Sequence, residues 1–307
     1  MKIAIVGDPH IAQGFRARTD DYLHTVLNKI EYIAQENDCI IFLGDLFDAS
    51  NMSTYIFNET YKVFSKFPNK CHSILGNHDM FHRNLGSLYR TTIGSLFLTQ
   101  VLQVHTDSFR INGLEFVPVL TNTPIEKIPV DDTNSKILLG HKYFEMWACP
   151  EESLDADDIT RLNYRYVFLG HDHMPYDPMK IGPSVLYRPG SLTRTTTDFY
   201  NKDRVIRYYQ IDLDENAMKN GVEFYTIVEK TIPTLKSEEV YLKGSFDKPV
   251  EKAPKVDTSN LKKLLARFDK KSASNISLDQ TLRKLGGSDE TVFYIRELHL
   301  THNMRYN

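Results

Sequence analysis

The residues of this chain that could do chemistry recur in one context, directly after short apolar runs. The clearest run is residues 40–43, which Gly44 closes just before Asp45. Such runs are typical of strands covered on both faces, and the ligands of open α/β sheets collect beyond the carboxyl ends of such strands. The residues in this position are Asp8, His10, Asp45, Asn77, His78, His141, His171 and His173.

Carboxylate, amide and imidazole groups form a mixed oxygen and nitrogen donor set. This set suits manganese or iron, and it lacks the thiolates that favour structural zinc. Asp8 and His10 are two residues apart, so on extended backbone both side chains point to one face and can hold one ion. His171 and His173 repeat this spacing. Two neighbouring cations need a shared anionic ligand, for which Asp45 is the candidate, and such a pair suits in-line displacement at phosphorus.

The elements that must position these residues alternate between strand and helix patterns. Strands are predicted over residues 3–6, 40–43 and 70–75, with a helix capped by Asp20 or Asp21 and a second helix over residues 54–64 between them. This alternation predicts a mainly parallel central sheet. Asn112-Gly113 predicts a hairpin that joins residues 109–111 to residues 114–117. The first helix is expected to bury an apolar face made of Leu23, Val26, Leu27, Ile30 and Ile33.

Later segments predict further strands at residues 137–139, 166–169, 205–211 and 222–228, and around Tyr187. From residue 233 to 259 the composition shifts to Lys, Glu, Ser and Pro, which indicates a linker or edge segment around a short strand at residues 240–242. Beyond it, two short amphipathic helices and a strand at 292–298 are expected. The predicted division is therefore a main domain over 1–232 that carries the candidate metal ligands, a linker or edge segment over 233–259 and a small C-terminal region over 260–307.

Bulk composition narrows the protein class only in part. With 307 residues and 41% hydrophobic content, the chain can bury a core of normal size, and its net charge of -3 neither supports nor excludes DNA binding. Three scattered cysteines with no CxxC spacing indicate a reducing compartment. We expect a cytoplasmic protein with no membrane segment.

The chain resembles the calcineurin-like metallophosphoesterase superfamily in five motifs that follow the family's order. Within that superfamily, Gly44-Asp45-Leu46-Phe47-Asp48 and Tyr187-Arg188-Pro189-Gly190-Ser191 most resemble the nuclease subunit of SbcD-type double-strand-break repair complexes, including its short bacteriophage versions. The resemblance covers roughly residues 1–230. The five motifs are Asp8-x-His10, Gly44-Asp45-x-x-Asp48, Gly76-Asn77-His78-Asp79, Gly140-His141 and Gly170-His171-x-His173.

The resemblance implies an α/β fold, a two-sheet sandwich flanked by helices, with a small C-terminal helical segment. It implies two divalent metal ions, most simply Mn²⁺, with a substrate-facing His78 whose ring Asp79 orients. His78 would protonate the leaving oxygen or stabilise the transition state. Asp48, where some relatives carry histidine, is left outside the catalytic set. The implied ligands are Asp8, His10, Asp45 and His173 for one ion, and Asp45, Asn77, His141 and His171 for the other.

The implied function is a metal-dependent DNA nuclease subunit, an exonuclease and single-strand endonuclease. It would act with an SMC-like ABC-type ATPase in DNA replication, recombination and repair, its C-terminal helices docking in a groove of that partner. Two alternatives remain: a small-molecule phosphodiesterase or phosphatase, and a DNA-end-binding scaffold with vestigial chemistry. A homodimer through residues 51–64 and 84–98 is possible.

Two further groups of side chains complete the sequence expectations. Histidines without the strand-end context are expected at the surface; these are His24, His72, His82, His105, His299 and His302. Loop arginines near the site are candidates for phosphate contacts, with ordinary surface charge as the alternative. These are Arg16, Arg18, Arg83, Arg90, Arg188 and Arg194.

Overall fold

The structure is a computed structural model that describes residues 1–15, 17–146, 149–197, 201–202, 204–214, 225–243 and 245. Residues 1–145 and 151–246 form one compact unit, to which the elements and the site described below belong. A second unit comprises residues 146–150 and 247–307, and all but three of its residues lie outside the described ranges. The predicted C-terminal helices, the strand at 292–298 and the docking region therefore remain predictions, as do the domain boundaries.

Two six-stranded sheets dominate the described part of the chain. The strands are β1 Lys2–Val6, β2 Cys39–Phe42, β3 Cys71–Ser73, β4 Gln103–Val104, β5 Phe109–Ile111, β6 Leu114–Val119, β7 Ile137–His141, β8 Tyr143–Phe144, β9 Ser153–Leu154, β10 Tyr166–Gly170, β11 Tyr176–Ile181, β12 Ser184–Arg188, β13 Arg207–Leu213 and β14 Tyr225–Thr231. The helices are α1 Tyr22–Glu36, α2 Thr54–Phe64, α3 Thr92–Leu98, α4 Ala156–Leu162 and α5 Ser237–Val240.

Each sheet has a parallel interior and antiparallel additions. The first sheet has the order β14-β13-β1-β2-β3-β4, in which β1 to β4 run parallel and β13 and β14 run antiparallel to their neighbours. The second has the order β11-β12-β10-β7-β6-β5, with β12, β10, β7 and β6 parallel. Antiparallel β5 and β11 lie at its edges. This arrangement confirms the predicted α/β two-sheet sandwich flanked by helices.

Burial on both faces explains the continuous apolar runs of the second sheet. On β10, Phe168 belongs to the main hydrophobic core, whereas Val167 and Leu169 belong to a second cluster with residues of α4. On β7, Leu139 and Leu138 divide between the two clusters in the same way. Because successive side chains of a strand point to opposite faces, neither face tolerates polar residues here. The polar residues therefore collect where the strands end.

The first two helices and the hairpin form where the sequence predicts them. All five predicted apolar residues of α1 are buried, and the Asp21 carboxylate caps the helix by accepting from the His24 amide at 3.3 Å. The α2 helix has the predicted bounds and is capped by Ser53. Asn112 and Gly113 both have positive φ, at 46° and 88°, as a tight turn between β5 and β6 requires.

Two predictions about smaller features are wrong. Residues 240–242 do not form a strand: Val240 ends α5, and Tyr241 makes a single bridge to Arg18. Their apolar character reflects burial of Val240 and Tyr241 rather than strand pairing. His72 is not a surface residue, since its exposure is 7%. Its Nδ1 lies 2.9 Å from His105 Nε2, and the ring of His105 in turn stacks on that of Phe109.

Among the described residues, the structure has no helix that is both long enough and apolar enough to span a membrane.

Phe64→Ala should remove a large part of the contact between α2 and the first sheet. The ring is fully buried and stacks on Phe42 of β2 at a centroid distance of 5.9 Å. Truncating a buried phenylalanine costs about 3–5 kcal/mol. We expect a loss of this size in the free energy of unfolding measured by urea titration. Asn58→Ala, on the same helix but exposed, should change it by less than about 0.5 kcal/mol. Equal losses in the two variants would contradict the described docking of α2.

Candidate metal centre

The carboxyl ends of strands from both sheets meet at one place, and all seven predicted ligands lie there. Asp8 and His10 follow β1, Asp45 follows β2, Asn77 follows β3, His141 ends β7, and His171 and His173 follow β10. Asp8, His10, Asp45, His141 and His171 are buried, whereas Asn77, His78 and His173 are half-buried. The centre is therefore closed on its protein side and open along the edge formed by these last three residues.

One group of ligands joins Asp8, His10 and His173. The ligand atoms of these three residues lie within 4.8 Å of one another. Nε2 of His10 lies 2.8 Å from Nε2 of His173, and the latter lies 4.0 Å from Asp8 Oδ2. Nε2 of His10 also lies 3.8 Å from Asp45 Oδ2. Two imidazole nitrogens and two carboxylates thus surround one point, as ligands of a single cation do.

A second group joins Asp45, His141 and His171, whose ligand atoms also lie within 4.8 Å of one another. Nε2 of His141 lies 3.3 Å from Asp45 Oδ2 and 3.1 Å from the side-chain oxygen of Asn77. Asp45 Oδ2 is therefore close to imidazoles of both groups. Its other oxygen, Oδ1, accepts a hydrogen bond from the His78 amide at 2.9 Å. The carboxylate is fixed with one oxygen between the two groups, as a bridging ligand must be.

The outer nitrogens of the candidate ligands have their own partners. Nδ1 of His141 lies 2.7 Å from the Leu43 carbonyl, which can only accept, so Nδ1 carries the proton and a neutral ring keeps Nε2 free. Nε2 of His171 lies 3.1 Å from Glu152, which leaves Nδ1 free for a cation. Metal-binding histidines usually hold their second nitrogen in this way.

His10 is the exception, because its Nδ1 has no hydrogen-bond partner among the described residues. That nitrogen lies within ion-pair distance of Asp48 Oδ1, at 3.3 Å, while its Nε2 faces the first group. Asp48, which the sequence left outside the site, is thus a positioning residue for His10. Glu152 was missed altogether, because it belongs to no motif and lies in a short helical turn before β9. No sequence signal identifies Glu152, because its contact with His171 and its ion pair with Arg83 join segments that are distant in the chain.

His78 and Asp79 lie at the centre, but they do not contact each other as predicted. Nδ1 of His78 lies 2.5 Å from the Asp48 carbonyl, and its ring meets that of His10 edge to face. Asp79 is buried and accepts hydrogen bonds from the backbone amides of Leu46 and Gly76. The prediction that Asp79 orients the His78 ring is therefore wrong: Asp79 ties the Asp45 loop to the loop that carries Asn77 and His78.

The backbone at three ligands is strained. His10, Asp45 and His171 have φ of 46°, 45° and 77°, a left-handed region that costs residues other than glycine about 1–3 kcal/mol. Glycines allow the loops to approach one another closely. A Cβ at Gly76 would overlap Asp45 Oδ1, and one at Gly170 would lie 2.6 Å from Asp8 Oδ1. The glycines of the motifs thus leave room for the carboxylates.

The pKa values of the buried groups at the centre are shifted by burial and by one another's charges. Burial raises the pKa of Asp8 to about 6, and burial together with Asp45 raises that of Asp79 to about 7. Burial would raise the pKa of Asp45, but the imidazoles of His141 and His10 hold it below its usual range. Burial lowers the pKa of His141, yet Asp45 and Asp8 bring it up to about 9. These shifts indicate buried carboxylates that depend on nearby positive charge.

One buried atom indicates where a cation would bind. Asp8 Oδ1 is enclosed and has no hydrogen-bond partner among the described residues. A buried carboxylate oxygen without a partner is costly unless a cation or a proton reaches it. The donor chemistry, the shared Asp45 oxygen and this unpartnered atom all fit a pair of divalent ions. The residues present can therefore hold the metal pair that the motifs imply.

Comparison with known proteins agrees with this geometry. Residues 1–175 match the family described as calcineurin-like phosphoesterase. The chain belongs to this family. Its members are metal-dependent phosphoesterases with two metal ions, so the centre described above is that of a phosphoester hydrolase. No curated protein sequence matches the chain.

Two solved structures are similar to this calcineurin-like phosphoesterase. One is the protein TT1561 of Thermus thermophilus, with a TM-score of 0.45, 14% identity, and coverage of 76% of this chain and 99% of that one. The other is a hypothetical protein from the same organism, with a TM-score of 0.42, 13% identity, and coverage of 76% of this chain and 100% of that one.

Gly76→Ala should lower the metal content of the protein. The added methyl group would overlap both the carboxylate and the backbone nitrogen of Asp45, so the carboxylate must leave its position between the two groups. We expect wild type to retain close to two Mn²⁺ per chain after gel filtration and the variant to retain less than half of that, measured by atomic emission. Gly14→Ala is the matched control, because a Cβ there has no atom within 4 Å. Full metal content in Gly76→Ala would contradict the assigned role of Asp45.

Binding of Mn²⁺ should release a proton near neutral pH. His141 of the metal-free protein, with a pKa of about 9, holds a proton on the nitrogen that the ion needs. The apparent affinity should therefore rise from pH 6.5 to 8.5, by up to about tenfold per unit for each proton displaced. Calorimetry at pH 7 in two buffers of different protonation enthalpy measures this release. An affinity independent of pH, or identical heats in both buffers, would contradict a protonated His141.

Proposed function

We propose that this phosphoesterase is the nuclease subunit of a DNA end-processing complex and that its ions are Mn²⁺. The observation that carries the chemistry is the single oxygen of Asp45 lying 3.8 Å from His10 Nε2 and 3.3 Å from His141 Nε2. Two divalent ions bound there would activate water and stabilise both the attacking and the leaving oxygen of an in-line displacement. DNA as the substrate is supported by the five motifs and by the Gly44–Asp48 and Tyr187–Ser191 sequences.

His78 supplies the proton transfer in this proposal. Since its Nδ1 hydrogen is given to the Asp48 carbonyl, Nε2 is the atom that can deliver or hold a proton. The ring is half-buried and lies beside His10, on the open edge of the centre. His78 can therefore protonate the leaving oxygen or donate a hydrogen bond to the charge that develops on it. A positioned acid of this kind typically contributes about 10²–10⁴-fold.

Positive charge and an aromatic ring lie where a polynucleotide would approach. Arg83 and Arg90 are exposed, and Arg83 pairs with Glu152, the partner of His171. The ring of Tyr143 lies 3.9 Å from that of His171 and is half-buried, so it could stack against a base. Of the predicted phosphate contacts, Arg18, Arg188 and Arg194 are unsuited to DNA: the side chain of Arg18 is 4% exposed, and Arg188 and Arg194 are buried. Arg16 lies outside the described residues.

Self-association through the α2–α3 surface is part of the same proposal. Three large apolar side chains on or near these helices are well exposed, Tyr55 at 49%, Tyr89 at 64% and Leu98 at 60%. They lie within the two segments that the sequence marks as candidates for a homodimer. Docking of the ATPase partner is assigned to residues 260–307, which lie outside the described part of the chain.

His78→Ala should separate metal binding from catalysis. Removing the imidazole takes away the proton donor and none of the proposed ligands, so the variant should still bind two Mn²⁺. We expect wild type to degrade linear duplex and single-stranded DNA with Mn²⁺, and the variant to be slower by about 10²–10⁴-fold. His24→Ala, a histidine on the first turn of α1, is the matched control and should keep full activity.

The same assay decides among the substrate classes. Wild type, with and without a co-purifying ATPase, is compared on DNA and on bis(p-nitrophenyl) phosphate. Rapid turnover of the small diester without DNA cleavage would replace the nuclease with a small-molecule phosphodiesterase or phosphatase. Tight DNA binding with no hydrolysis of either substrate would support an end-binding scaffold instead.

A further inference from the structure

A cavity lined by cationic and apolar side chains lies outside the metal centre. It has a volume of about 330 Å³, within the range of small-ligand sites. It opens between α1 and the segment that follows β14. Of its lining residues three are cationic and none is acidic, and most of the others are apolar or aromatic. The lining residues are Arg18, Thr25, Asn28, Lys29, Tyr32, Arg194, Ile232, Pro233, Thr234, Leu235 and Val240.

The burial of Lys29 is not explained by its contacts with the described residues. Its side chain extends from α1 and the residue is 8% exposed, yet among the described residues its ammonium donates only one hydrogen bond, to the Leu192 carbonyl at 3.1 Å. No described carboxylate forms an ion pair with it. Burying an ammonium is costly unless it is paired, and a methionine would fill the same space without that cost. Two of its three hydrogens remain available to a ligand.

The neighbouring cations strengthen the case for an anion. Arg18 pairs with Asp20 through two hydrogen bonds of 2.8 and 2.6 Å, and Arg194 donates to backbone carbonyls that include that of Leu235. Burial and the nearby Arg18, Arg204 and Arg194 lower the pKa of Lys29 to about 7. An anion in the cavity would reverse this effect and stabilise the charged ammonium. Since Asp20 offsets the charge of Arg18, Lys29 and Arg194 are the cations of the lining that favour a negatively charged ligand.

The apolar part of the lining narrows the class of ligand. Tyr32 is 42% exposed and Leu235 is 54% exposed, although both line a cavity with a charged interior. An inorganic anion could contact only the cationic part of this lining. A molecule with a phosphate at one end and a planar or apolar group at the other would use both halves of the lining. Arginine and lysine side chains both recognise phosphate, and the ring of Tyr32 could stack on a planar group.

We propose that this cavity binds a small organic phosphate, such as a nucleoside monophosphate, with its phosphate on Lys29 and its planar group against Tyr32 and Leu235. The site is separate from the metal centre but is joined to it by one short segment. Leu192 accepts from Lys29 and donates its amide to the Asp8 carbonyl at 3.0 Å. Leu192 therefore connects the cavity to the backbone of Asp8, a proposed metal ligand.

A parallel contact passes through Tyr22. Its hydroxyl lies 3.1 Å from the His10 carbonyl and 2.6 Å from Thr193 Oγ1, and the next residue, Arg194, lines the cavity. Arg18 completes this wall by donating to the Arg194 carbonyl at 2.8 Å. Segment 192–194 is thus held between the cavity on one side and the Asp8–His10 loop on the other.

Calorimetry on the metal-loaded full chain tests the site, because nucleotide held at the metal centre would be bound equally by wild type and by a variant altered only at the cavity. Adenosine 5′-monophosphate and inorganic phosphate are the probes. We expect saturable binding of the nucleotide, weaker binding of phosphate, and a loss of at least about tenfold in nucleotide affinity in Lys29→Met. Lys62→Met, an exposed lysine on α2, matches the change in net charge and should bind as wild type does.

Leu235→Asp is a second variant that keeps the test valid if Lys29→Met does not fold. Leu235 is exposed, so an aspartate there leaves the core intact while it repels an anion at the cavity, and it should also weaken nucleotide binding by at least about tenfold. Absence of nucleotide binding by wild type, or equal affinities of wild type and both variants, would overturn the site. Equal affinities for phosphate and nucleotide would overturn the organic class of ligand. None of these outcomes depends on whether the metal centre cleaves DNA.

Discussion

The carboxylate of Asp45 is the interaction on which the rest of the structure depends. One of its oxygens is fixed by the His78 amide, and the other stands between two groups of imidazoles and carboxylates. Three aspartates, Asp8, Asp45 and Asp79, are buried in this small volume, and mutual repulsion would drive them apart or protonate them. Divalent cations bound by these residues would offset that repulsion.

The two sheets form a rigid frame, and their strands end in the short loops that carry the ligands. Parallel strands of both sheets direct their carboxyl ends to one edge, and buried apolar runs fix each strand in register. The strain at His10, Asp45 and His171 is held in place by this frame and by hydrogen bonds such as those of Asp79. Strong secondary structure outside the site thus makes an unfavourable backbone inside it possible.

Much of this could be predicted from the sequence, because strand-end ligands and helix periodicity are local signals. The bounds of α2 and the buried face of α1 follow from spacing, and the gathering of the seven ligand residues follows from their position after the strands. What could not be predicted depends on contacts between distant segments. Glu152 beside His171, the carbonyl partner of His78 and the burial of His72 have no local signature. The apolar pair Val240 and Tyr241 is buried without a partner strand, so its pattern alone suggested the wrong element.

The position of β1 in the first sheet has a consequence for how the chain folds during synthesis. This strand lies between β2 and β13, and β13 begins only at Arg207. Until the ribosome has made that segment, one edge of the strand that leads to Asp8 has no backbone partner. Non-local pairing of this kind slows folding and leaves an edge open to aggregation. All six strands of the second sheet are therefore synthesised before the first strand of the chain is protected.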